Sequence, residues 1–230
     1  MRFLVDFLYR RLNIASAGLV ILLVFGIMGS LVLASSTSNF TQTIGAGTLA
    51  VDIVNGSYVT VASPTIAMSG TTFEFACHAV TGTFGTASEQ IYVKNPDVAD
   101  GGWTASLGGS ATTNIWDSAG TDYDFNDPTG TGCTDGADAG DTVGGQMTVD
   151  ASGGTLAVGA CLTCTTTGVS KGTSGSYSEG VTDNISVLIG AAGSDDVGDW
   201  TLRGVSISQK IPAEQPAAAD YDINMMLTII

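Results

Sequence analysis

Beyond its first 34 residues the chain alternates short apolar segments with clusters of Gly, Asn, Asp and Pro. The cleanest alternation lies in 222–230, where Ile223, Met225, Leu227 and Ile229 share one face and Asn224, Met226 and Thr228 the other. Similar apolar runs bounded by turn residues predict strands at 48–54, 72–76, 90–94, 146–149, 184–189 and 200–211. In the last of these Trp200 and Leu202 face one way, Gly204 predicts a bulge, and Val205, Ile207 and Ile211 resume the apolar face. The Gly/Thr/Asp-rich stretch 130–145 predicts a long loop. No window of this region carries a sustained apolar stripe of 3.6-residue period. Many short strands with turn-rich joints predict an all-β fold, an antiparallel β-sandwich or jelly roll, preceded by an N-terminal hydrophobic helix.

The first 34 residues follow a different pattern. Arg2, Arg10 and Arg11 precede an apolar run from Ile14 to Ala34. Positive charge followed by an apolar stretch is an export signal, and Val32-Leu33-Ala34 fits a cleavage site before Ser35. The run is also long enough for an uncleaved anchor, with Arg10 and Arg11 holding the N-terminus in the cytoplasm. Both readings make 1–34 a signal peptide or anchor and 35–230 a single extracytoplasmic domain. A membrane contact is expected only through 1–34, if they are retained.

Charge narrows the partners. The chain has 7 Lys+Arg against 22 Asp+Glu, a net charge of −15. Setting aside Arg2, Arg10, Arg11 and Asp6 leaves 4 basic and 21 acidic residues, or −17, in the exported part. Phosphate backbones are repelled by such a surface, so no nucleic-acid partner is expected. Cations and basic partners suit it better.

Candidate chemistry is sparse. The single imidazole, His78, follows Cys77 directly, and strand neighbours point to opposite faces, so the two do not make a nucleophile–base pair. No nucleophile elbow, phosphate loop or metalloprotease signature occurs. No pair of carboxylates stands out from the general excess of Asp as a glycosidase would need. The chain is therefore read as a non-enzyme.

Four cysteines, Cys77, Cys133, Cys161 and Cys164, allow three disulfide connectivities, and a local Cys161–Cys164 bridge with Cys77–Cys133 is the favoured one. A zinc site would need thiolates plus His78, and the spacing is not that of a zinc finger. Asp122, Asp124, Asn126 and Asp127 alternate oxygen ligands as a calcium loop opens, and Asp135, Asp138 and Asp141 follow. Ca²⁺ is thus the one cofactor expected, against a solvated acidic loop as the plainer reading. Asp195, Asp196 and Asp199 form a further acidic group before Trp200. Asn39, Asn55 and Asn184 begin glycosylation tripeptides, a pattern that arises easily by chance in a Ser/Thr-rich chain. Tyr92, Trp103, Trp116, Tyr123 and Trp200 suit either a carbohydrate-binding face or core packing.

Two segments carry a family resemblance. Gln90-Ile-Tyr-Val-Lys-Asn-Pro leads through Gly101-Gly102-Trp103 to Thr-Ala-Ser-Leu107. Val205-Ser-Ile-Ser-Gln-Lys-Ile-Pro212 leads through a small-residue run and Tyr221 to the last strand, and Trp200-Thr-Leu202 is a literal W-x-L. Together these resemble the WxL domains of bacterial surface proteins. The resemblance implies a β-sandwich displayed on the cell envelope, with Trp103, Trp200 and Leu202 as binding residues for cell-wall or surface glycan. The expectation is an exported prokaryotic cell-surface protein with a structural or binding role in the envelope. The alternatives are a subunit that assembles with copies of itself into a surface layer or filament, stabilised by Ca²⁺, and a secreted glycan-active enzyme.

Overall fold

The computed structural model describes residues 2–28, 41–45, 47–96, 101–119, 121–136, 142–194 and 197–230, with side chains of the first stretch given for 5–19 only. Met1–Ile44 and Gly45–Ile230 are two separate units. In the first, helix α1 runs over Arg2–Met28, with no proline to break it and its leucines, arginines and alanines favouring the helix. Its described side chains are all exposed, and Arg11 lies 5.1 Å from the Phe7 ring centroid. Among the described residues, no helix is long and apolar enough to cross a membrane. The side chains described in α1 end at Leu19, so most of the apolar run predicted from Ile14 to Ala34 lies beyond them.

The second unit is built of antiparallel strands: β1 (Ala50–Val54), β2 (His78–Phe84), β3 (Gln90–Asn95), β4 (Trp103–Gly109), β5 (Ile115–Trp116), β6 (Tyr123–Asp124), β7 (Gln146–Asp150), β8 (Thr155–Val158), β9 (Val169–Lys171), β10 (Gly175–Ser176), β11 (Asn184–Gly190), β12 (Gly198–Arg203), β13 (Val205–Ile211) and β14 (Met225–Ile229). Among the described residues they form three four-stranded sheets, ordered β1-β3-β12-β8, β10-β7-β13-β2 and β14-β4-β11-β9, with β5 and β6 as a separate pair. The arrangement is a β-sandwich, as the strand pattern predicted. Three chain passages, β2 to β3, β7 to β8 and β12 to β13, cross between the first two sheets. These sheets are therefore halves of one bent layer, and the third packs across it.

Burial explains which strands form. Ile91 and Val93 of β3, Trp200 and Leu202 of β12, and Ala105, Val187 and Leu188 of the third sheet are fully buried. Trp103 on β4 meets Trp200 on β12 with ring centroids 5.4 Å apart, joining the two layers. At the other end Phe125 packs edge-on against Tyr177, whose hydroxyl donates to the Leu107 carbonyl at 2.7 Å. The buried polar groups there are paired: Trp116 Nε1 donates to Gln209 Oε1, and Gln209 Nε2 donates to the Asp124 carbonyl.

Two expectations are corrected. Residues 72–76 are not a strand; Phe73 and Phe75 are exposed and meet edge-to-face instead, and the strand begins at His78. The apolar run misled there because, among the described residues, no strand pairs with it to bury either face. Gly204 is not a bulge within one strand but the corner at which the chain leaves the first sheet for the second. The predicted loop 130–145 is confirmed where described, with a short 3-10 turn at Thr129–Thr131; residues 137–141 lie outside the described residues. The predicted last strand is real, shortened to β14, which pairs with β4 from Met225↔Gly109 to Ile229↔Ala105.

Candidate functional site

The most built-up polar site is at the end of β12. Asp199 is buried there, and three donors converge on its carboxylate. Tyr92 on β3 donates its hydroxyl to Oδ2 at 2.6 Å, the Ala160 N–H donates to Oδ2 at 2.8 Å, and the Cys161 N–H donates to Oδ1 at 2.8 Å. The approach needs glycine at 159: a Cβ there would lie 2.6 Å from Asp199 Oδ2 and 3.0 Å from the Tyr92 ring. Burial first, and then the Asp199 hydrogen bond and charge, push the Tyr92 phenol well above its ordinary range.

The loop held by this carboxylate carries the Cys161–Cys164 disulfide, with Cα atoms 5.7 Å apart. Trp200 fixes its far side, donating from Nε1 to the Thr165 carbonyl at 2.8 Å. Gly198 separates the Trp200 ring from Cys164 Sγ, each within 3 Å of where a Cβ would stand. Among the described residues, Cys161, Cys164 and Asp199 are the one group whose potential metal-ligand atoms come together, all within 4.8 Å of one another. With the disulfide closed, neither sulfur is a thiolate, and the site holds no ligand set for an ion.

The second disulfide, Cys77–Cys133, ties the segment before β2 to the loop after the 3-10 turn, 56 residues away in sequence. Both bridges are those favoured from the sequence. They point to an oxidising environment. Cys77 is thereby unavailable as a nucleophile. His78 Nδ1 lies 3.2 Å from the Ala76 carbonyl and 3.9 Å from Glu74.

In the acidic loop the described side chains make local hydrogen bonds. Asp122 Oδ1 accepts the Ser118 N–H, Asp124 Oδ1 accepts the Phe125 N–H, and Asn126 Nδ2 donates to the Thr112 carbonyl. Asp127 is buried and braces the loop, accepting the Thr129 and Gly136 N–H groups at 2.8 and 2.6 Å. Among the described residues, no three of Asp122, Asp124, Asp127 and Asp135 gather their oxygens around one point. The physical reason is that these carboxylates alternate along an irregular chain whose own amides claim them. Asp138 and Asp141 lie outside the described residues, as do Asp195 and Asp196.

Trp103, Trp200 and Leu202, expected as binding residues, are instead core residues, at 4%, 0% and 0% exposure. Buried between the layers, they offer no face to a polymer outside. The aromatic set is split likewise: Trp116 stacks on Tyr123, and Tyr123 meets Tyr221 edge-on, within the fold. A cavity of about 360 Å³ does open between sheets, lined by Ile66, Met68, Phe84, Leu107, Ile223 and Leu227, with Glu89 at its wall.

Sequence reasoning missed the role of Asp199, grouping it with its acidic neighbours. No local signal marks it: strand alternation puts Asp199 on the face opposite Trp200, and its donors come from residues 92, 160 and 161. No protein family, no curated protein and no solved structure matches this chain.

Proposed function

We propose that the chain is an exported prokaryotic cell-surface protein with a structural role in the envelope. The observation that carries this reading is the pair of disulfides closing an acidic all-β unit that follows a basic and then apolar N-terminal segment. Disulfides persist in oxidising compartments, and export signals lead there. Glycan binding through Trp103, Trp200 and Leu202 is disfavoured by their burial, so a wall-binding role would need other residues.

A second reading, a subunit that assembles with copies of itself, draws on β14. Thr104 and Ile230 exchange both backbone hydrogen bonds. By alternation the N–H and C=O groups of Met225, Leu227 and Ile229 point away from β4. Among the described residues no strand pairs with that outer edge of β14. An open edge at the end of a sheet is a template for strand addition.

Cell fractionation with protease shaving of intact cells tests the first reading. The protein should be cut on intact cells and should carry no free thiols. Protection from protease together with four free thiols would overturn it. Particle size of the purified protein then separates a discrete monomer from an assembling subunit.

A further inference from the structure

We infer that Cys161, Cys164 and Asp199 form a redox-gated site for a divalent metal ion of the zinc class, closed as a disulfide and opened by reduction. Three observations meet there. The four cysteines lack the full zinc-finger spacing, but Cys161 and Cys164 alone have the C-x2-C spacing of one thiolate pair of a zinc site, and their Cα atoms stand 5.7 Å apart. A carboxylate oxygen lies within 4.8 Å of both sulfurs. That carboxylate is held in place by the Tyr92 hydroxyl and by the Ala160 and Cys161 amides. A carboxylate has about four acceptor positions, so three donors orient it and leave one for a metal. Outer hydrogen bonds of this kind are what fix a metal-binding side chain in its productive geometry.

The loop is within reach of both reagents. Leu162, between the cysteines, is 99% exposed. A dithiol reductant supplies two electrons and two protons to the Cys161–Cys164 bond; the S–S bond breaks, two thiols remain, and the dithiol leaves as its own disulfide. The metal then displaces the two thiol protons. It is bound by two sulfurs and one Asp199 oxygen, with the fourth position of a tetrahedral ion left to water. A small-molecule disulfide takes the two electrons back by thiol–disulfide exchange and leaves as its two thiols; the Cys161–Cys164 bond re-forms and the ion is released, so the metal-bound and disulfide states exclude each other.

The test uses the whole chain, reduced with a dithiol, freed of reductant under nitrogen and titrated with Cd²⁺. Thiolate-to-metal charge-transfer absorption reports sulfur ligation, and the change in tryptophan emission on metal addition, taken as the difference from a W200F variant, reports the loop beside Trp200. One equivalent should bind after reduction and none before. A variant C161S/C164S, which keeps Cys77 and Cys133, should bind none under the same treatment. D199N should lower the affinity about tenfold or more, with unchanged far-UV circular dichroism. No uptake by the reduced wild type, equal uptake by C161S/C164S, or an unchanged affinity in D199N would each overturn the site. If reduction costs strand structure, uptake that does not restore it also counts against the site.

Discussion

The backbone N–H of Gly204 donates to the carbonyl of Gly85 at 2.7 Å, and both glycines are left-handed, with φ of 76° and 82°. One hydrogen bond thus links the two corners at which β2 passes into β3 and β12 into β13. It holds the bend between the first two sheets where the ladders on either side have ended.

The two glycines should differ under substitution. A Cβ on Gly85 would lie 2.8 Å from the Leu202 carbonyl oxygen and 3.0 Å from the Arg203 Cα, whereas at Gly204 the nearest atom is 3.9 Å away. G204A should therefore cost about 1–2 kcal/mol, the left-handed conformation alone. G85A should cost more, since backbone must also move. Urea melts of the two variants check the order; equal losses would show that the corner has slack at Gly85.

The two disulfides should contribute unequally. Cys77–Cys133 spans 56 residues and Cys161–Cys164 spans 3. Loop-closure entropy gives about 4 kcal/mol for the first and about 2 kcal/mol for the second. Thermal melts of C77A/C133A and C161A/C164A should show the larger drop in the first, and the reverse order would contradict the entropic account.

Alkaline pH should unfold the sandwich in step with two buried phenols. Burial, joined by the charge of Tyr221, raises Tyr123 above its ordinary 10.0, and burial raises Tyr177. A group whose folded pKa is raised contributes stability that is complete below its unfolded value and lost as pH rises through the folded one. Stability should accordingly hold up to about pH 10 and fall above it. Phenolate absorbance of Tyr123 and Tyr177 should appear only with loss of strand dichroism. Phenolate formation by Y123F/Y177F indistinguishable from wild type before unfolding is expected; a difference between them below the unfolding pH would contradict it.

Removing 225–230 should abolish folding. β14 covers the outer edge of β4, and Ile223, Met225, Leu227 and Ile229 pack against the core. Side chains of this kind contribute about 1.5–3 kcal/mol each when fully buried; the three removed, Met225, Leu227 and Ile229, are half-buried and supply about 2–5 kcal/mol, and loss of the β4 ladder as well brings the deficit near a domain's net stability of about 5–15 kcal/mol. The truncated chain should show no cooperative melt. A folded truncation that stays monomeric where the full chain assembles would instead make β14 an assembly strand, and one with unchanged stability and association would show that it does neither.

Local pattern settled what depends on neighbours in sequence. Period-two alternation marked β14, because a half-buried strand writes its two faces into successive residues, and an apolar run bounded by turn residues marked β3. Export context and an even cysteine count favoured the two bridges that form. Tertiary structure decided what depends on which surfaces meet. The segment around Phe73 and Phe75 alternates like a strand but, among the described residues, pairs with no strand, while β2, with Gly82 and two threonines, becomes one because β13 lies beside it. Trp103 and Trp200, 97 residues apart, are equally consistent in sequence with an outer binding face or an inner seam, and only the packing of β4 over β12 places them inside. Asp199 is one carboxylate among 22 acidic residues until Tyr92 and the 159–161 loop fold around it. Burial and convergence are properties of distant residues brought together, and no periodicity within a single segment encodes them.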